Sequence, residues 1–344
     1  WSNTGESINQ LVGHAGYVSG ATQLLNGYIL SWSWDGTLKL WSNDGLLIKT
    51  FVGHEGIITG ALVLSNGNIL SWGYDNTLYI WSNDGQIIAR LIGHNDIIRG
   101  AIELKDGNIL SWSNDKNLRI WSNDGQFIAR LTGHHESILG ALQLTNEDIL
   151  SWGYDGTLRI WTSDGQIANT LFEQIGAIYG AKQLSDGNII SWDSDAALYL
   201  WSITEHSTTM LLEHKNTVRE IIQLPNMPLS IWNDGATVYF WGNTKQPIED
   251  LSDNTEPIKG SIKLSDGHIL SWGYDNTLRI WSSGGQAIAL LSGHTKSIHG
   301  ALELSDGRIL SWGYDNTLRI WTKDGQAITS LSGHTKAVLG ALEL

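Results

Sequence analysis

No cysteine occurs in this chain of 344 residues, so it has neither a disulfide framework nor a thiolate metal site. Proline is scarce: all four, Pro225, Pro228, Pro247 and Pro257, fall in one stretch. No apolar run approaches the ~18 residues of a membrane span. Positive charge is outweighed, with 21 Lys and Arg against 35 Asp and Glu and a net charge of −14. An acidic surface repels phosphate backbones and anionic lipid, so neither a nucleic acid nor a membrane is an expected partner. No apolar period of 3.6 residues runs through the chain, which sets aside helical solenoids. Trp1 opens the sequence with no basic and apolar leader behind it. That start points to a segment of a longer polypeptide and to a cytoplasmic setting.

What the chain has is tryptophan, 18 residues of it, placed on a ruler. Trp41, Trp81, Trp121, Trp161, Trp201, Trp241, Trp281 and Trp321 are 40 residues apart, as are Trp32, Trp72, Trp112, Trp152, Trp192, Trp232, Trp272 and Trp312. A period of this length marks a repeat architecture, so one large domain over residues 1–344 is expected rather than two or three ordinary ones.

One unit, residues 53–92, reads as four short β-rich runs. Asn66-Gly67, Asp75-Asn76 and Asp84-Gly85 separate them, pairs that accept positive φ and close tight hairpins. Four antiparallel strands repeated in this way predict the blade of a β-propeller, with strands a to d running outward from the axis.

The chain resembles the WD40 propellers along essentially its whole length. Gly-His recurs at Gly13-His14, Gly53-His54, Gly93-His94, Gly133-His134, Gly293-His294 and Gly333-His334, and a Trp closes strand c about 27 residues after each His. The family's Trp-Asp dipeptide is absent, because Ser, Thr or Gly follows the Trp, as in Trp81-Ser82 and Trp241-Gly242. The resemblance implies a hydrogen-bonded set of His54, Ser71, Asp75 and Trp81, repeated as His94, Ser111, Asp115 and Trp121. A Ser-His-Asp combination also suggests a nucleophilic triad. A triad would not be stamped into most units at one internal register, so the set is read as structural. Family members carry a small residue where this chain has Trp72. Alternation with Ser71 turns Trp72 to the other face of its strand, where packing between blades is expected. An exposed ring of indoles stacking on sugars is the other reading.

Units differ in places. Ser271–Ile280 and Ser311–Ile320 are identical decapeptides, a sign of recent internal amplification of the kind seen in prokaryotic WD40 arrays. Residues 171–257 form a diverged sector: Gln174 and Asn254 replace the loop His, and Ile231 and Gly235 replace the Ser and Asp of the polar set. Eight blades closed as a ring are expected, with nine positions and one incomplete blade as the alternative. Residues 1–12 read as the end of a strand c plus a strand d, and residues 337–344 as a further strand a.

No motif for catalysis stands out. There is no phosphate loop, no calcium-loop series and no third ligand beside His134-His135-Glu136, so no metal, no cofactor and no enzyme activity is expected. Binding is the better class, since a propeller's loops vary at little structural cost. The resemblance places partners on the face of the d–a and b–c loops. Candidate residues there are Trp34, Tyr74, Tyr154, Tyr274 and Tyr314, which precede the turn Asp, and Tyr17, Ile57 and Ile97, which open strand a. These side chains suit hot-spot contacts. The expected function is a scaffold or sensor for a protein or peptide, with a carbohydrate-binding propeller as the alternative.

Overall fold

In a computed structural model of the chain, residues 11–341 are described apart from 25, 163–164, 172–175, 196, 203–206, 214–220, 224–229, 234–237, 242–246, 252–257 and 283–285; for 211–257 only strand backbone is described. Every element among the described residues is a β-strand. The unit read above folds as Ile58–Val63, Ile69–Gly73, Thr77–Trp81 and Ile87–Ile92, each strand antiparallel to the one before. Its turns sit where the dipeptides put them: Gly67 has φ 85°, Asn76 60° and Gly85 81°. Short strands pair with sequence neighbours because two-residue turns allow nothing else. The turns then fix the register, Gly60 opposite Trp72 and Ile69 opposite Trp81.

Seven such blades have described interiors, not eight or nine: residues 18–52, 58–92, 98–132, 138–171, 178–213, 258–292 and 298–331. The expectation of eight blades, and its nine-position alternative, is corrected accordingly. Ile221–Gln223, Ser230–Asn233, Val238–Trp241 and Pro247–Leu251 do pair in sequence order. Of that sheet only strand backbone is described. Its unit is also the one with Ile231 and Gly235 in place of Ser and Asp, so counting Trp periods overstated how many units carry a blade's internal ties. Gln174, Thr217, Pro225, Pro228, Asp234, Gly235, Asn254 and Pro257 lie outside the described residues.

Both chain ends also depart from expectation. Leu11 and Val12 are not in a strand, and residues 1–10 and 342–344 lie outside the described part. Residues 337–341 form no strand a. Instead the segment docks: Val338 N–H donates to the carbonyl of Gly313 at 3.1 Å, and its side chain packs with Leu310, Leu318, Ile320 and Leu331.

The chain divides into two compact units, residues 9–181 and 182–343. In the first, neighbouring blades meet through repeated apolar joints. Leu30, Leu38, Leu40 and Phe51 of blade one face Ile58, Ile69, Tyr79 and Trp81 of blade two. Leu70, Leu78, Ile80 and Leu91 of blade two face Ile98, Ile109 and Trp121 of blade three. The second unit repeats the arrangement between blades six and seven, with Trp321 in the same place. Each buried indole of this series removes about 200 Å² from water, on the order of 5 kcal/mol of gross burial.

The second Trp series has its own device. The indole of Trp72 lies flat over Gly60 on the neighbouring strand; a Cβ on that glycine would sit 2.3 Å from Trp72 Cζ2. Gly20, Gly100, Gly140, Gly260 and Gly300 hold the partner indoles in the same way. Each glycine is a slot, and without it the indole would be pushed out of the joint. Trp32, Trp72 and Trp112 are partly buried against the clusters between blades, Trp312 against the cluster of blade seven and Val338, and Trp272 is buried.

Candidate functional site

Among the described residues, the polar set assembles in five blades. In blade two, Trp81 Nε1–H donates to Ser71 Oγ at 2.8 Å, Ser71 Oγ lies 2.8 Å from His54 Nε2, and His54 Nδ1 lies 2.8 Å from Asp75 Oδ2. An ionised carboxylate only accepts, so the His proton is on Nδ1 and Ser71 donates to Nε2. The chain of donation therefore runs one way, from Trp through Ser and His to Asp. Blades one, three, four and seven carry the same arrangement on His14, His94, His134 and His294. The Asp also accepts from backbone, as from the amides of Glu55 and Thr77, and so ties the incoming loop to the turn.

Electrostatics follow from this bonding. Burial alone would raise the Asp115 carboxyl, but the hydrogen bond and charge of His94, with the amides of Asn95 and Asn117, pull it down to about 2. Asp75 and Asp315 are also held below the ordinary range against the same burial. Burial lowers His294, and the bond to Asp315 only partly offsets it. The serine is no nucleophile. Ser71 is fully buried, its hydrogen faces His54, and its oxygen receives the indole N–H. The joints otherwise leave few loose ends among the described residues, chiefly the indole N–H groups of Trp32, Trp112, Trp152 and Trp312.

Where the loop His is replaced, other groups take over, and sequence reasoning missed both cases. In blade six, Arg279 Nη1 donates to Asp275 Oδ2 at 2.6 Å and to Thr277 Oγ1 at 2.7 Å. In blade three, which has its His, the matching guanidinium stays 3.8 Å from Asp115. The signal was Arg279 itself, which follows Thr277 by two residues and so shares its face. In blade five, Asp193 accepts the amides of Asp195 and Ala197 at 3.0 and 2.9 Å, and burial raises its carboxyl. Both blades keep the Trp–Ser bond, Trp201 to Ser191 and Trp281 to Ser271, each 2.8 Å.

The loop end of the blades holds the binding candidates. A backbone bond joins the two series in blades one to four and seven: Trp34 N–H to the Tyr17 carbonyl, Tyr74 to Ile57, Asn114 to Ile97, Tyr154 to Ser137 and Tyr314 to Ser297. This bond closes the first hairpin and leaves the side chain before the turn Asp outside the packed interior. Tyr17 is 61% exposed, Trp34 53%, Tyr74 49% and Tyr314 41%; Tyr154 and Tyr274 fall between the last two. The Tyr17 and Trp34 rings meet edge to face at 5.2 Å. Ile57 and Ile97 are half-buried, so they floor the surface more than they project from it. Lys259 and His299 also belong to this end and were missed. Each lies two residues beyond the residue that opens its strand, a spacing that returns a side chain to the same face.

Among the described residues, no three His, Asp or Glu side chains are placed to share a metal ion, and no helix is long and apolar enough to cross a membrane.

Consecutive four-stranded blades, five of them pinned by a Trp–Ser–His–Asp chain, define a repeat propeller of the kind whose loop ends vary while the sheets stay fixed. The family of the WD domain, G-beta repeat, matches residues 5–42 and 45–82. Residues 5–82 thus match two WD40 repeats, and the chain folds as a β-propeller of four-stranded blades. Among solved structures it is similar to the computationally designed Ika8 protein, at 23% identity over 92% of this chain and all of that one, with a TM-score of 0.70. It is similar too to the WD40 propeller domain of Doa1, at 21% identity over 91% of this chain and 95% of that one, TM-score 0.55. At these identities the likeness is one of fold. No curated protein matches the sequence. WD40 propellers are in general protein-interaction scaffolds and not enzymes.

Proposed function

We propose that this chain is a non-enzymatic scaffold or sensor that binds a protein or peptide at the loop end of its blades. The observation that carries this reading is the exposure of Trp34, Tyr74, Tyr154, Tyr274 and Tyr314 at one register, above interiors that are otherwise closed. Large aromatic side chains kept in water beside half-buried Ile57 and Ile97 are the composition of an interface core. Carbohydrate binding loses its best support, because the indoles offered for sugar stacking lie in the joints between blades. A single propeller over residues 1–344, with 171–257 as its diverged sector, belongs to the same proposal, as does a cytoplasmic setting. The test is a pull-down that compares the intact chain with a Tyr74→Ala/Tyr274→Ala/Tyr314→Ala variant of equal thermal stability. Partners retained by the former and lost by the latter support the reading. Identical partner sets overturn it.

A further inference from the structure

Blades six and seven carry one cluster at their loop end unlike anything in the first unit. The ammonium of Lys259 lies 4.4 Å from the ring centre of Tyr314 and 5.7 Å from that of Tyr274. The imidazole of His299 stacks on Tyr314 as well, 5.7 Å from its centroid and 27° from coplanar. Trp272 closes the floor, its indole N–H donating to the His299 carbonyl at 3.3 Å. Lys259 and His299 are half-buried, while both tyrosines are exposed.

Among the described residues Lys259 has ring faces beside it and no hydrogen-bond acceptor. A ring face attracts the charge but takes none of the three N–H donors. The nearby carboxylates are already committed, Asp275 to Arg279 and Asp315 to His294. Exposed Lys296 adds a second positive charge on the loop that enters blade seven. A chain of net charge −14 thus presents a local basic and aromatic spot with its donors unmet. Burial and the charge of Lys259 lower His299, which favours its neutral imidazole.

We propose that Lys259, framed by Tyr274, Tyr314 and His299, anchors a carboxylate of an acidic linear peptide, the tyrosine rings packing on the aliphatic part of the same residue. The proposal deepens the reading of the previous subsection and names the chemistry of the partner. A single anionic anchor suits this site better than a phosphate backbone, because the rest of the molecule is strongly acidic and repels an extended polyanion.

The experiment is selection of short random peptides displayed on phage against the intact chain, followed by polarisation binding of the enriched sequences to variants. Expected are sequences with a fixed Asp or Glu, about tenfold weaker on Lys259→Ala, as for loss of one charge-assisted hydrogen bond. Lys259→Glu should reject them and take their Glu→Lys counterparts. Peptides that bind through Tyr74 or Trp34, indifferent to Lys259→Ala and without an acidic position, overturn the carboxylate anchor and leave the scaffold reading standing. Failure to enrich any peptide overturns both. Equal binding of a short single-stranded DNA shows a general anion patch and overturns the peptide assignment. Lys323→Ala serves as the control, since Lys323 is engaged with Asp266 and Glu303.

Discussion

At the scale of the residue, the molecule depends on hydroxyl groups that serve two partners. Ser71 Oγ accepts from Trp81 and donates to His54, so Ser71→Ala leaves a buried indole N–H and a buried imidazole nitrogen unpaired. A loss of about 1–3 kcal/mol is expected, read from denaturant unfolding; an unchanged midpoint would count against the chain of donation. Glu147 makes the opposite case. It holds φ 74° at the turn position where the other described units have glycine. Glu147→Gly should stabilise by about 1 kcal/mol by relieving left-handed strain, and a lowered melting temperature would refute that. The members of the polar set were legible in the sequence because each recurs at a fixed interval. Arg279 was not, because its role exists only where Asn254 has displaced a histidine, and a period shows what repeats rather than what compensates.

At the scale of the element, a blade is a sheet held to its neighbour by indoles resting on bare backbone. Gly60→Ala puts a methyl group 2.3 Å from Trp72 Cζ2 and has to displace the ring. Overpacking of this kind should cost about 1–3 kcal/mol, with a shift in tryptophan fluorescence as Trp72 moves towards water. Retained emission and stability would mean that the slot is loose. The four-strand blade and its turns were readable from Asn-Gly and Asp-Gly pairs alone. The slots were not, because Gly60 reads in the sequence as a poor strand residue and its use appears only when the register sets it opposite Trp72. The aromatic positions were readable too, since the residue before the turn Asp falls at one place in every unit, whereas the pairing of Lys259 with two of them needed the fold.

At the scale of the whole molecule, acid should be the weak point. An Asp whose folded value lies below its unfolded value gives stability that is complete above the unfolded value and lost as pH falls towards the folded one. For Asp115 that window runs from 3.8 down to about 2. It corresponds to about 2 kcal/mol for this group. His294 acts earlier: because burial lowers it, the unfolded chain takes up a proton first as pH falls through 6.5, and stability begins to decline there. Melting temperature should therefore fall in two stages on acidification, and Asp115→Asn should flatten the lower one; a curve level down to about pH 2 would contradict this. The C-terminal docking segment adds a further handle. Val338→Asp places a charge against Leu310 and Leu331 and should lower the stability of the second unit selectively. The blade number was the least legible feature, since it turns on the unit with Ile231 and Gly235, where tryptophan spacing persists although the Ser and Asp of the set are replaced.

Because the joints on either side of a blade are built from the same few side chains, blades are interchangeable parts. Blades six and seven, with identical decapeptides from Ser271 and Ser311, are already near copies. Slippage during replication that adds or drops a whole unit would keep the same pattern of joint residues, while a shift of one residue would turn each strand inside out. Copy number is thus free to drift in steps of one blade, and with each step the lineage gains or loses a set of loop residues with which to meet a new partner.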